Sequence, residues 1–163
     1  MRRMSGARVF GAVGLLGLLA ATGCSAARAS SSGGSAIAAT AAYVQQPTAT
    51  GKATVGYLDI RNNGATDELV SVTTNVGGTV ELRGPVRPGS SPVVMHTVRD
   101  IPLPSDAMTQ LIPNGYHLLI SGTGPMYDGK DITLTLKFAQ GSPVTILALV
   151  TNPESGGSSY FLN

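Results

Sequence analysis

The sequence is poor in cysteine, tryptophan, histidine and charge, and these shortages narrow the possible functions. Of 163 residues, one is cysteine, none is tryptophan, two are histidine, and 12% are charged. A single cysteine cannot form an internal disulfide, so this thiol needs another explanation. The low charge, with no block of basic residues, argues against nucleic acid as a partner.

Groups that could carry out catalysis are equally sparse. His96 and His117 are the two histidines, and no Gly-x-Ser-x-Gly elbow places a serine beside either of them. The carboxylates are scattered singly along the chain, so no general acid/base pair is visible. We therefore predict that the protein is not an enzyme.

The N-terminus carries an export signal. Three arginines within the first eight residues precede an apolar run over residues 9–21, and small residues follow before Cys24. The run is shorter than the ~20 apolar residues needed to cross a bilayer. We therefore interpret residues 1–23 as a secretory signal rather than a transmembrane anchor. Its removal takes 3 of the 11 basic residues and leaves 8 against 9 acidic ones, so the basic balance belongs to the signal.

The only cysteine stands at the end of this signal. Ala21-Thr22-Gly23-Cys24 resembles the lipobox of bacterial lipoproteins, although the usual leucine is replaced by Ala21. The resemblance implies that the Cys24 thiol carries a diacylglycerol and, with its palmitate-like chains, holds the protein on the outer face of the cell membrane. The alternative is ordinary cleavage after Ala27-Arg28-Ala29, which would give a secreted protein.

The mature chain divides into three parts. Residues 24–36 are mainly alanine, serine and glycine, which is typical of a flexible tether. Residues 37–152 form one predicted domain, and residues 153–163 form a C-terminal tail. Abundant glycine, threonine and valine favour sheets and turns over helices.

Short strand-like segments separated by turn signals run through this domain. In Asp131–Phe138, Ile132, Leu134, Leu136 and Phe138 share one face, and the near-continuous apolar segment 143–150 is predicted to be central. Pro102 and Pro104 predict a bend, and one short helical turn is predicted near Ser105 to Thr109. Eight or nine strands predict an all-β, antiparallel Greek-key sandwich or barrel. The predicted strands are 37–44, 54–60, 69–74, 79–83, 93–98, 108–112, 116–120, 131–138 and 143–150.

Thioether and imidazole groups are the remaining candidate ligands, and together they select copper, especially Cu(I). The mature chain has three methionines and two histidines: Met95, Met108, Met126, His96 and His117. Ordinary packing is the alternative for Met95 and Met108, whereas an apolar side chain is less expected in the turn-rich loop that holds Met126. A structural role is the alternative for His117. Met95 and His96 are adjacent in a predicted strand, so they face opposite sides unless a bulge intervenes.

These residues sit in a chain that resembles the PCu(A)C family of periplasmic and extracellular copper chaperones over residues 37–150. The resemblance implies a cupredoxin-like β domain that binds Cu(I). Its landmarks are short segments whose order and spacing agree with the family, at 42–44, 56–64, 67–72, 80–82, 115–119 and 134–138.

The metal motif of the family is matched at two positions out of four. Met95 and His117, with 21 residues between them, coincide with a methionine and a histidine ligand. Arg83 stands where the resemblance implies the first histidine, and Leu119 stands where it implies the last methionine. Arginine offers no lone pair and brings a positive charge, and leucine cannot coordinate. The possible substitutes for the missing ligands are His96, if a bulge turns it to the same face, and Met126, if its loop brings it to the site.

Two hypotheses follow. In the first, the resemblance implies a lipid-anchored copper chaperone that delivers Cu(I) to a membrane copper enzyme such as cytochrome c oxidase, or exchanges it with another copper chaperone. In the second, the domain has kept the fold, lost the metal, and acts as a surface interaction or structural lipoprotein, since fold similarity alone does not fix function.

Overall fold

A computed structural model describes residues 36–87 and 93–155. The predicted signal, Cys24, the tether before residue 36 and the tail after residue 155 lie outside the described residues. Within them, ten strands and one short 3₁₀ turn follow one another. They are β1 (Ile37–Gln45), β2 (Thr54–Asn62), β3 (Asp67–Thr74), β4 (Thr79–Pro85), β5 (Met95–Thr97), β6 (Ile101–Leu103), β7 (Ala107–Leu111), β8 (His117–Ser121), β9 (Asp131–Phe138), β10 (Val144–Thr151) and η1 (Pro153–Ser155).

The strands form one curled sheet in the order β5-β4-β8-β2-β1-β10-β9-β3-β6, and β7 also pairs with β2. The first and last strands, β1 and β10, run parallel, with Val44 opposite Val150. The remaining pairings within the described chain are antiparallel. The predicted all-β class and the central position of the last strand are therefore confirmed.

The core lies on the inner face of the curled sheet, where alternation of the strands directs their apolar side chains. In β9, Ile132, Leu134, Leu136 and Phe138 are all buried, as the period-two pattern predicts. The outer face keeps partly exposed residues, and Leu147 of β10 is 63% exposed there. The outer face is therefore the side on which functional groups are accessible.

Two local predictions are wrong. Residues 101–103 form the additional strand β6 instead of a bend at Pro102, and its position at the edge of the sheet explains why a proline is tolerated. The predicted helical turn near Ser105 is a tight turn in which Asp106 has a φ of 53°, and β7 begins directly afterwards at Ala107. This left-handed residue ends any right-handed helical turn.

Two buried polar side chains fasten the loops at the end of the sheet where β1 begins. The Asp67 carboxylate accepts hydrogen bonds from the N–H groups of Glu68 at 2.8 Å, Gln140 at 3.0 Å and Gly141 at 2.7 Å. Asn62 donates to the carbonyls of Ala65 and Leu103. Burial by itself raises the pKa of Asp67, but these N–H donors outweigh it, so the pKa lies below its ordinary value of 3.8.

The buried hydrophobic cluster extends from Ile37 to Val150 in the sequence. A soluble form that begins at residue 30 therefore retains all of it, and we expect that form to fold by itself. None of the helical segments in the described part of the chain is long and apolar enough to cross a membrane.

Candidate metal centre

The residues of the candidate site meet on three adjacent strands, β5, β4 and β8. Arg83 of β4 stands opposite Thr97 of β5 on one side and opposite His117 of β8 on the other. Directly opposed residues of an antiparallel pair project to the same face. The buried neighbours Leu82 and Leu118 point inward, so Arg83 and His117 project from the outer face.

Met95 and Leu119 join them by alternation along their own strands. Met95 precedes Thr97 by two residues and is opposite Pro85. Leu119 follows His117 by two residues and is opposite Glu81. All four positions that the resemblance singled out, namely Arg83, Met95, His117 and Leu119, therefore lie on one face of the sheet.

The guanidinium of Arg83 occupies the centre of this face. Its Nη1 donates to Thr97 Oγ1 at 2.8 Å, and its Nη2 donates to the Met95 carbonyl at 3.3 Å. Thr97 Oγ1 in turn donates to Glu81 Oε2 at 2.8 Å. Glu81 Oε2 also lies 3.6 Å from Arg83 Nη1, with the two side chains 47% and 24% exposed. At that exposure the ion pair contributes at most about 1 kcal/mol.

His117 is oriented so that one ring nitrogen remains available. Nδ1 lies 3.0 Å from the carbonyl oxygen of Gly115, which can only accept, so Nδ1 carries the proton in the neutral ring. The lone pair is then on Nε2. A backbone carbonyl on the second nitrogen is a common way of holding a metal-binding histidine. The ring of Tyr57 stands 6.2 Å away, centroid to centroid.

His96 projects to the other face. It is opposite Gly84, and the β4–β5 register from Arg83 to Pro85 is continuous, so no bulge turns His96 towards Met95. Gly84 has no room for a side chain, because a Cβ there would lie 2.8 Å from the Tyr116 ring. The structure thus does not bring His96 to the candidate site.

Met126 is buried in the hydrophobic core and is 5% exposed. It lies in the loop that follows β8, which leaves that strand at the end opposite His117. Hydrogen bonds hold this loop to the other end of the sheet, from Gly124 N to Val76 O at 2.9 Å and from Gln46 Nε2 to Met126 O at 3.2 Å. Met126 and His117 are therefore not brought together.

The donors on the outer face make up only part of the ligand set that a soft cation needs. Met95 offers a thioether and His117 an imidazole nitrogen, while Arg83 adds a positive charge between them. Strands β5 and β8 are about 10 Å apart with β4 between them, so both side chains must lean over Arg83 to share one ion. Among the described residues, no three His, Cys, Asp or Glu side chains are grouped so that they could hold a metal ion.

Sequence reasoning missed Thr97 and Glu81, the two groups that hold Arg83. Thr97 follows Met95 by two residues, and Glu81 precedes Arg83 by two residues. Alternation alone could have placed them on the same face. The hydrogen bonds between them depend on the cross-strand register.

Comparison with solved structures identifies domains of the same fold. The apo PCuAC domain from PmoF1 has a TM-score of 0.62 at 21% identity, covering 72% of this chain and 95% of that one. The copper-bound PCuAC domain from PmoF2 has a TM-score of 0.59 at 20% identity, covering 72% and 94%. The solution structure of CuI-DR1885 from Deinococcus radiodurans has a TM-score of 0.54 at 20% identity, covering 69% and 78%.

Sequence comparisons match the chain to a relative and to a family model that are both described as putative lipoproteins. The protein described as "Putative lipoprotein Lxx21020", from Leifsonia xyli subsp. xyli, is 24% identical to this chain over 109 residues. The matched region covers 66% of this chain and 66% of the relative, slightly less than two thirds of each. The family model described as "Putative lipoprotein LpqE-like" matches residues 37–150. The β domain has the PCuAC fold. By the match of the family model, the chain belongs to this LpqE-like family.

Proposed function

We propose that the protein is a lipid-anchored, extracytoplasmic copper-binding protein that receives and passes on Cu(I). The observation that carries this proposal is the common outward face of Met95 and His117 on the two strands that flank β4. A thioether and a neutral imidazole are ligands that favour Cu(I). No enzymatic activity is part of the proposal.

A two-donor site suits transfer better than storage. Met95 and His117 are both partly exposed on the sheet surface, so an acceptor can approach the ion without unfolding the domain. Few ligands and a nearby guanidinium keep the affinity low, which lets a site with more soft donors take the ion. The acceptor we propose is a membrane copper enzyme such as cytochrome c oxidase, or another copper chaperone. Fold likeness to a copper-bound PCuAC domain and to CuI-DR1885 supports the proposal.

Cu(I) titration of the soluble form, residues 30–163, against a chromophoric chelator tests the site. We expect one ion per chain, with binding weakened at least about tenfold by Met95→Ala and by His117→Ala, because each removes one of two protein donors. His96→Ala and Met108→Ala are matched controls. His96 projects to the opposite face, and Met108 is a 50% exposed methionine of β7.

Equal losses in the controls would show that copper binds to exposed soft groups in general. Failure of the wild-type domain to compete at micromolar metal would remove the copper function.

Anchoring through Cys24 is the second part of the proposal, and it concerns a residue outside the described part of the chain. The lipobox resemblance and the lipoprotein names of the matched family and relative support it. Cys24→Ser removes the thiol that would accept the diacylglycerol. We expect this variant to lose labelling by a radioactive or clickable fatty acid and to appear in the medium. A variant that keeps the label would contradict the anchor.

A metal-free function is the second candidate, and the Arg83 network favours it. The guanidinium is held at the position where a metal ligand would stand, by Thr97 Oγ1 and the Met95 carbonyl. On this alternative the outer face binds another protein through Arg83 and Glu81. The same titration separates the candidates, because a metal-free domain shows no competition with the chelator.

A further inference from the structure

A groove of about 360 Å³ opens on the outer face beside the candidate metal centre. Strand β2 forms its floor through Tyr57 and Asp59, and Tyr43 of β1 and Gln110 of β7 stand on either side. The groove lies next to an irregularity in β1, where the β1–β2 register shifts between Thr40 and Tyr43 and Ala41 has a φ of 51°. Such a bulge re-aims side chains locally.

Both tyrosines line the groove, Tyr43 as a half-buried side chain and Tyr57 as a buried one that is 8% exposed. Their ring centroids are 5.2 Å apart and the ring planes are tilted by 43°. Burial raises the pKa of both phenols, and for Tyr57 the neighbouring Tyr43 raises it further. The faces of both rings are electron-rich. Faces of this kind attract organic cations through the ring quadrupole.

Among the described residues, Asp59 is the only charged one that lines the groove. Its Oδ1 accepts a hydrogen bond from Gln110 Nε2 at 3.3 Å, and Oδ2 has no hydrogen-bond partner among the described residues. Among the described residues no ion pair joins Arg61, two residues further along β2, to Asp59, and the Arg61 Nε donates to Asn63 Oδ1 at 3.0 Å. The groove therefore combines aromatic faces with one available carboxylate oxygen.

We propose that this groove is a binding site for an organic cation, an alkylammonium or guanidinium group. The cation would lie against the Tyr43 and Tyr57 rings with its charge towards Asp59. Gln45 and Gln110, which also line the groove, provide amide oxygens for N–H donors. The cation comes either from a small molecule or from a lysine or arginine side chain of a partner protein.

The site goes beyond the proposed copper function and does not depend on it. The Tyr57 ring touches both regions, since it lies 5.2 Å from Tyr43 and 6.2 Å from the His117 ring. A basic side chain seated in the groove would therefore bring its own chain next to His117. Loss of Cu(I) binding in the titration above would leave the groove intact.

The test is an NMR titration of the soluble form at constant ionic strength. Tetramethylammonium represents the small-molecule source, and an arginine blocked at both ends represents the side chain. We expect saturable shifts of the Tyr43, Tyr57 and Asp59 amides with one or both probes. Asp59→Asn, which keeps the acceptor for Gln110, weakens binding about tenfold. Tyr57→Leu, which keeps apolar volume without the aromatic face, weakens it further.

Controls match each component of the interaction. tert-Butyl alcohol and blocked citrulline are neutral probes of similar shape and are expected to bind no more than weakly. Asp131→Asn removes the same charge from β9, outside the groove, and retains wild-type binding. The proposal is overturned if neither cation gives saturable shifts, if the neutral probes bind equally well, or if Asp59→Asn leaves the affinity unchanged. Binding of tetramethylammonium alone identifies an alkylammonium ligand, and binding of blocked arginine alone identifies a guanidinium ligand.

Discussion

Replacing Arg83 with histidine and Leu119 with methionine is expected to tighten Cu(I) binding by about 100-fold or more. The double substitution turns two donors into four on the same face of the sheet. It also removes a positive charge, whose repulsion with a cation about 4 Å away amounts to about 4 kcal/mol at an effective dielectric of 20. Pairing with Glu81 reduces this repulsion, and about 1.4 kcal/mol already corresponds to a factor of ten in affinity.

Single substitutions separate the two contributions in the same chelator competition. Arg83→Gln removes the charge with a side chain that is not a soft ligand, and we expect a gain of about tenfold. Arg83→Lys retains the charge and should gain little. Leu119→Met alone adds a thioether beside the unaltered guanidinium. If the double variant binds Cu(I) no better than the wild-type domain, the face described above is not the copper site.

Of the substitutions described, removal of the Asp67 carboxylate is expected to cause the largest loss in the free energy of unfolding. Asp67 is 6% exposed and accepts three backbone hydrogen bonds, two of them from the loop between β9 and β10. Asp67→Ala leaves those N–H groups unpaired, at a cost of about 2–4 kcal/mol. For a domain of this size the melting temperature should fall by roughly 10 °C. Thermal unfolding followed by circular dichroism measures it.

The pH dependence of unfolding gives an independent check on Asp67. Its pKa is lowered in the folded state, so its contribution to the free energy of unfolding is complete above the ordinary value of 3.8 and is lost as pH falls below it. Asp67→Asn lacks this titration and should lose less stability on acidification. Asp131→Asn, an exposed carboxylate of β9, is the control with a wild-type profile. Equal acid sensitivity in all three proteins would contradict the role assigned to Asp67.

The sequence predicts the strands well where one face is buried and the other is exposed. The alternation of Asp131–Phe138 agrees with β9 at both ends because its four apolar residues all reach the core. Strand β6 was missed because two prolines, Pro102 and Pro104, indicate a bend. Only its position at the sheet edge, a tertiary property, makes Pro102 acceptable in a strand.

The candidate site is predictable to a smaller extent. Resemblance to a family singled out Met95 and His117, but their common face depends on the register of β5 against β4 and of β4 against β8. A shift of one residue in either pairing would turn one of them inward. The hydrogen bond between Arg83 and Thr97 depends on the same registers. The groove beside Tyr57 depends on a bulge in β1 that no turn residue in the sequence indicates.

The parallel pairing of β1 with β10 has a consequence for biosynthesis. Val44 can pair with Val150 only after nearly the whole domain has been synthesised, which gives the fold a high contact order. Until then β1 and β9 each present an edge with unpaired N–H and C=O groups, the kind of template on which separate molecules associate. The domain therefore cannot fold hairpin by hairpin, and an incompletely folded chain is open to self-association until β10 pairs with β1 and β9.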